Sequence, residues 1–310
     1  MKCLIVQPVH EDGLALLRQK GIEPVICPDA AMSTVAALVP GCDAAITRNA
    51  GFTEEAFAAS DRLKVVVVHG AGHDAVDKDA ATRHGVLVCN TPGANAQSVS
   101  ELALGLALSA ARLIPAADRQ ERAGQSGFRD RNQTLELQGK TALVVGWGHT
   151  GSRLGKMLAG ALDMRVLVHS PRVKDLGDFE RATSLEAGLG EADLISLHTP
   201  LRPETRHMIN RDSLSLVKRG AILVNTARAG LVDEAALLEA LDSGQLFAAG
   251  LDVYEEEAPL GPLGQSDRVI LAPHLGGATE EAMRRIAVAS VENVLTALSG
   301  ARPATALNLD

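Results

Sequence analysis

Three short segments in the second half of the chain each follow an apolar run with side chains that can bind an anion or move a proton. They are Val224-Asn-Thr226-Ala227-Arg228-Ala-Gly230, Gly250-Leu-Asp252-Val-Tyr-Glu-Glu-Glu257-Ala-Pro259 and Leu271-Ala-Pro273-His274-Leu-Gly276-Gly277. If the apolar runs are strands of an open parallel sheet, the segments lie at the carboxyl ends, where such sheets bind ligands. An arginine, a carboxylate and a histidine would then converge. Reduction of a 2-keto acid needs a fixed cation for the substrate carboxylate and a proton donor for the carbonyl oxygen. Arg and His meet those needs, and a carboxylate beside an imidazole favours its proton-donating form. Taken singly, each residue has a plainer reading: Arg228 in a loop salt bridge, Glu257 as one of three acids on a solvated turn, His274 bonded to a backbone carbonyl.

A hydride carrier is implied upstream. The run Thr141-Ala-Leu-Val-Val145 leads directly into Gly146-Trp-Gly148-His149-Thr150-Gly151, and residues 152–162 are helical in composition. In a strand-turn-helix of this kind the first glycine permits the tight turn, the second lets the backbone approach a pyrophosphate and the third lets helix and strand pack closely. The helix N-terminus then faces the phosphates with free N–H groups. Nicotinamide cofactors are usually told apart near the end of the next strand, where an acid bonds the ribose hydroxyls in NAD enzymes. Here Ser170 stands nineteen positions after Gly151 and Arg172 follows. Without the carboxylate, and with a guanidinium able to pair a 2′-phosphate, the charges favour NADP over NAD.

The elements that must position these residues are legible as alternating runs. Leu4 to Val6, Val25 to Cys27, Ala44 to Thr47, Val65 to Val68 and Val86 to Val88 alternate with Ala/Leu-rich stretches. A second series runs through Thr141 to Val145, Val166 to Val168, Leu194 to Leu197, Ile222 to Val224, Phe247 to Gly250 and Val269 to Leu271. Both patterns predict parallel sheets with crossover helices. Between them, Val99, Leu102, Ala103, Leu106, Ala107, Ala110, Leu113 and Ile114 recur at helical spacing, with Ser98-Val-Ser-Glu101 as the expected capping box. Residues 118–138 read as loop and linker, and Thr279 to Leu298 as a long helix.

Composition narrows the classes further. The 310 residues are 46% hydrophobic and carry a net charge of -8, enough for about two domains and without a basic face for nucleic acid. Aromatic residues are only 2%, so base stacking is equally unsupported. No secretory signal and no uncharged apolar run of about 18 residues is present, so the expected location is cytoplasmic, away from membranes. Cys3, Cys27, Cys42 and Cys89 form no Cys-x-x-Cys pair and are expected to be reduced core residues, with no metal site.

Over nearly its whole length the chain resembles the D-isomer-specific 2-hydroxy acid dehydrogenases, the family that includes phosphoglycerate dehydrogenase and the glyoxylate/hydroxypyruvate reductases. Besides the segments above, the resemblance rests on Val68-His-Gly70-Ala71-Gly72-His-Asp-Ala-Val-Asp77, Asn90-Thr-Pro-Gly-Ala-Asn95, Ser98-Val-Ser-Glu101, Leu197-His-Thr199-Pro-Leu201 and Pro273-His-Leu-Gly-Gly-Ala-Thr279. It implies an α/β fold of two Rossmann-like, doubly wound parallel-sheet domains. The nucleotide domain (97–283) is inserted into a split substrate domain (1–96 with 284–310). The two long helices resemble the hinges joining them, and the cleft between holds the chemistry. Motif by motif, it implies Arg228 as the substrate-orienting cation, His274 as acid/base and Glu257 as its partner. Gly70, Ala71 and Gly72 become backbone donors to the substrate carboxylate. His149 and Thr150 meet the pyrophosphate, while Thr199, Thr226, Asp252 and Gly276 lie around the nicotinamide end, and Ala227 also belongs to the cofactor site. Arg48 resembles an arginine that phosphoglycerate dehydrogenases direct at a substrate anion. Such enzymes are typically homodimers through the nucleotide domain, a role the apolar face from Val99 to Ile114 would suit, although an intrachain core explains that face equally well. Three readings follow: a glyoxylate or hydroxypyruvate reductase, favoured by Ser170 and Arg172; a phosphoglycerate dehydrogenase, favoured by Arg48; and a nucleotide-sensing binding protein like the corepressors that share the fold.

Overall fold

Strands of hydrophobic residues that are covered on both faces need helices on both sides, and this chain builds that arrangement twice. The computed structural model describes residues 1–255 and 257–309. It separates into one unit of residues 1–95 with 277–310 and another of 96–276. The second boundary therefore falls seven residues before the expected one. The reason is local: Thr279 caps the helix Glu280–Leu298, its hydroxyl accepting the Ala282 N–H at 3.2 Å, and the whole helix packs in the first unit.

The first unit holds a five-stranded parallel sheet of β1 (Lys2–Ile5), β2 (Glu23–Ile26), β3 (Ala44–Thr47), β4 (Val65–Val68) and β5 (Leu87–Cys89), in the order β2-β1-β3-β4-β5. Alternate side chains divide between two apolar layers. Leu4, Ala45, Val66 and Val88 face one of them, while Cys3, Ile5, Ile46, Val65 and Val67 meet Val291 and Val294 of the last helix in the other. All four residues of β4 are buried, as a strand covered on both faces requires.

The second unit holds seven parallel strands: β6 (Thr141–Val145), β7 (Arg165–His169), β8 (Glu180–Arg181), β9 (Leu194–Leu197), β10 (Ala221–Asn225), β11 (Leu246–Leu251) and β12 (Val269–Leu271). Their order is β12-β11-β10-β9-β6-β7-β8. The chain winds away from β6 in both directions, which leaves a crevice at the carboxyl ends of β6 and β9. Two-residue β8 leaves no mark in the sequence, because both its residues are charged and exposed. The helix Ala96–Arg112 lies against β10 and β11 through Leu106, Ala107 and Ala110, so its apolar face is used inside the unit.

Two local expectations are corrected. The helix begins at Ala96, so Ser98 is inside it and does not cap it; its hydroxyl donates to the Gly276 carbonyl at 2.6 Å. Part of the 118–138 segment is helical, in the helices Ile114–Arg122 and Phe128–Arg131. The first is separated from its predecessor by Leu113 in the left-handed region (φ 51°). Its polar turn is tied by Arg122 to Asp118 and by Arg119 to Asp267 instead of by apolar periodicity. All four cysteines are free and buried, and burial pushes the Cys27 and Cys89 thiols up to about 11. No single helix among the described residues is long and apolar enough to cross a membrane.

The turn from β6 into the helix His149–Leu162 is the tightest point of the second unit. A Cβ at Gly151 would lie 2.0 Å from the Gly146 carbonyl oxygen, and one at Gly146 (φ 100°) 2.5 Å from the His198 carbonyl oxygen. Gly151→Ala is expected to destabilise the protein by about 1–3 kcal/mol, the range for overpacking a closed site. A melting temperature unchanged from wild type would show that helix and turn can separate freely.

Candidate active site

Strand ends across the second sheet carry the residues that the sequence marks for chemistry. Gly146 makes its turn in a region open only to glycine, its N–H bonded to the His169 carbonyl at 2.9 Å. Gly148 is the N-cap of the helix that follows, and a Cβ there would meet no atom within 4 Å. The backbone is therefore bare and open above a helix N-terminus, which is the shape a pyrophosphate requires. Below the turn the ring of Trp147 fills the space that a side chain at position 155 would need, and stacks at a tilt on Phe179 with centroids 4.9 Å apart. His149 and Thr150 open the helix, and Thr199 sits across the crevice with its N–H 2.9 Å from the place of a Gly146 Cβ. At the end of β10 the Thr226 hydroxyl is buried without a hydrogen-bond partner among the described residues. A dinucleotide would supply the missing partners for such a site, and the residues present fit one.

The loops after β10, β11 and β12 are braced by buried polar side chains. Asn225, 1% exposed, accepts the Ala227 N–H at 3.0 Å and donates to the Arg228 carbonyl at 2.8 Å, which fixes the backbone that presents Arg228. The Arg228 guanidinium in turn reaches the Ala227 carbonyl at 2.6 Å. Asp252, also 1% exposed, receives the Leu275 N–H on one carboxylate oxygen (2.7 Å) and the Gly276 N–H on the other (2.9 Å). Burial holds its carboxyl above the usual range, against the pull of those two N–H groups and of His274. His274 itself adopts φ 55°, a left-handed conformation costly for a histidine, and its N–H bonds both the Asp252 and Ala272 carbonyls. Gly276 must be glycine here, since a Cβ would press on the Asp252 carboxylate at 2.9 Å.

Glu257 is not joined to His274. The two form no hydrogen bond or ion pair among the described residues; Glu257 is exposed on a turn closed on itself by Ala258 N–H to Glu255 and by Leu260 and Gly261 N–H to Glu257. Ser170 follows β7, its carbonyl held by Arg181 at 3.0 Å, and Arg172 pairs with Glu204 at 3.0 Å. Both partners of that pair are exposed, so it is worth no more than about 1 kcal/mol.

In the first unit, Gly70 (φ 146°) donates its N–H to the Thr91 hydroxyl at 2.9 Å, whereas the N–H groups of Ala71 and Gly72 have no acceptor among the described residues. Arg48 immediately follows β3, with its guanidinium bonding the Pro8 carbonyl at 2.9 Å. It is half-buried, and among the described residues no carboxylate pairs with it. Next to it, after β4, His69 is 6% exposed, and its Nε2 has no hydrogen-bond partner among the described residues; burial, aided by the Arg48 charge, pushes its pKa down to about 4. Asn225 and His69 were both missed from the sequence. The signal for Asn225 was present, since an Asn ending a strand before a loop commonly bonds backbone two residues on. His69 had none, because one polar residue after a valine run is equally an ordinary loop start.

Comparison with known proteins agrees with this geometry. Residues 104–276 match the family model described as D-isomer specific 2-hydroxyacid dehydrogenase, NAD binding domain. The D-3-phosphoglycerate dehydrogenase of Methanocaldococcus jannaschii is 36% identical over 315 residues, covering all of this chain and 60% of the relative. The chain thus spans about 60% of that protein's length. The hydroxypyruvate reductase of Thermotoga maritima is 36% identical over 296 residues, 94% of this chain and 96% of the relative. Among solved structures, the TT0316 protein from Thermus thermophilus superposes with a TM-score of 0.90 at 35% identity, covering 99% of this chain and 100% of that one. The chain belongs to the D-isomer-specific 2-hydroxyacid dehydrogenase family, and its second unit is the NAD(P)-binding domain.

Proposed function

We propose that this protein reduces a small 2-keto acid to its D-2-hydroxy acid with NADPH, in the manner of a glyoxylate or hydroxypyruvate reductase. The observation that carries the reading is the His274 loop, which Asp252 clamps in a strained conformation, while the Asp252 N–H bonds the carbonyl of Asn225, the residue that braces the backbone around Arg228. Strain of this kind persists where surrounding structure over-determines it, and clusters at working sites. The cofactor, when bound, supplies the hydride. Arg228 grips the substrate carboxylate through two parallel N–H bonds and so aligns the carbonyl. His274 donates the proton that turns the carbonyl oxygen into a hydroxyl. Glu257 stabilises the imidazolium, a role that requires it to reach His274 in the working complex.

His274→Ala is expected to lower kcat by about 10²–10⁴, the usual contribution of a positioned general acid, with little change in KM for cofactor. Arg228→Lys is expected to raise KM for the keto acid about tenfold or more, since an ammonium cannot form the bidentate pair. Steady-state kinetics check both, and wild-type turnover by the His274 variant would remove the assignment.

The preference for NADPH is supported by the absence of an acid at Ser170 and by the weakness of the exposed Arg172–Glu204 pair, from which a doubly charged phosphate can draw the guanidinium. Ser170→Asp is expected to shift the ratio of kcat/KM for NADPH over NADH toward NADH by about tenfold or more. A wild-type enzyme that prefers NADH would overturn this part of the proposal.

A second reading, a phosphoglycerate dehydrogenase, is favoured by Arg48, a half-buried cation with no carboxylate pairing it among the described residues. Glyoxylate, hydroxypyruvate and, in the oxidative direction, 3-phosphoglycerate separate the two. On the first reading Arg48→Ala leaves glyoxylate turnover within about twofold. A preference for the phosphorylated acid, lost in Arg48→Ala by about 10–100-fold as expected for a charged hydrogen bond, would select the second.

A further inference from the structure

We infer that Glu234 is a positioning residue for Glu257, holding the turn that carries it; the inference rests on the catalytic reading of Glu257 above. Glu234 opens the helix Glu234–Asp242, and its sequence position alone suggests an ordinary acid favoured by the helix dipole. Its surroundings differ from that. The capping work is done by Asp233, whose Oδ1 accepts the N–H groups of Ala235 and Ala236, each at 3.1 Å. Glu234 is half-buried and reaches across to accept the Glu255 N–H on Oε1 at 2.7 Å.

That bond fixes one side of the turn. The other side is fixed by the Glu255 carbonyl, which accepts the N–H of Ala258 at 3.0 Å, and Ala258 is buried in the core of the second unit. Glu257 lies between those anchors with its own side chain exposed. The arrangement is electrostatically unfavourable. Burial, with the charges of Glu255 and Glu257, raises the Glu234 carboxyl above its usual range, although the Glu255 N–H opposes them. Helix capping is already done by Asp233 and does not require this acid, whereas the Glu234 carboxylate is the protein group that accepts the Glu255 N–H at the base of the turn. Glu234 therefore acts through Glu257 and touches no reacting atom.

The test is a double-mutant cycle on the whole enzyme, read as kcat with the best 2-keto acid and NADPH, alongside KM for cofactor and the melting temperature. Glu234→Ala is expected to lower kcat about tenfold, with KM for cofactor unchanged, and to lower it less than twofold in a Glu257→Gln background. Glu234→Gln keeps an acceptor oxygen and is expected to retain at least a third of wild-type kcat, which keeps the test usable if the Ala variant folds poorly. An equal loss from Glu234→Ala in both backgrounds, or wild-type kcat for both Glu234 variants, would overturn the inference while leaving Glu257 catalytic. Wild-type kcat for Glu257→Gln would overturn the inference and the role of Glu257 together.

Discussion

One buried carboxylate sets the geometry on which the nucleotide unit's chemistry depends. Asp252 follows β11, yet both of its oxygens bond backbone N–H groups of the loop after β12, and its own carbonyl takes the N–H of His274. Removing one partner from such a buried charged arrangement costs more than the bonds themselves gain, because the remaining group stays desolvated. The loop consequently has one arrangement, with Gly276 close against Asp252 and Ser98 bonded to the Gly276 carbonyl. A family resemblance assigns Asp252 to the nicotinamide end of the cofactor; the contacts it makes within the protein are those of a brace.

Much of the fold was readable because buried parallel strands leave continuous apolar runs. The runs at 44–47, 65–68, 141–145, 194–197 and 269–271 became β3, β4, β6, β9 and β12 with the same ends. The glycine turn was readable for a stronger reason, since only glycine satisfies both the positive φ at 146 and the 2.0 Å approach at 151. Elements held by polar bonds were not readable. The helix Ile114–Arg122 has one buried residue, Ala116, and β8 has none, so neither leaves a hydrophobic period. Ser98 followed by Glu101 satisfied the pattern of a capping box, but a carbonyl 178 residues away claims that hydroxyl.

Site residues divide the same way. Arg228, Glu257 and His274 stood out because each follows a strand with a group able to do chemistry. The groups that hold them did not, because a bracing residue is defined by its partner, and the partner of Asn225 or Glu234 is a backbone atom that carries no sequence mark. The first unit repeats the pattern more sparsely. Its winding reverses direction between β1 and β3, and there Gln7 uses a single side-chain oxygen to accept the N–H groups of Arg48 and Ala50.

Trp147 is the only tryptophan in the chain, and it lies 9% exposed within the glycine turn, against Phe179 and the close-packed start of the helix. All indole fluorescence of the protein therefore originates from one packed ring within the glycine turn. Reduced nicotinamide absorbs light in the region where indole emits, so the molecule carries a built-in optical gauge of whether a reduced cofactor is bound and how tightly.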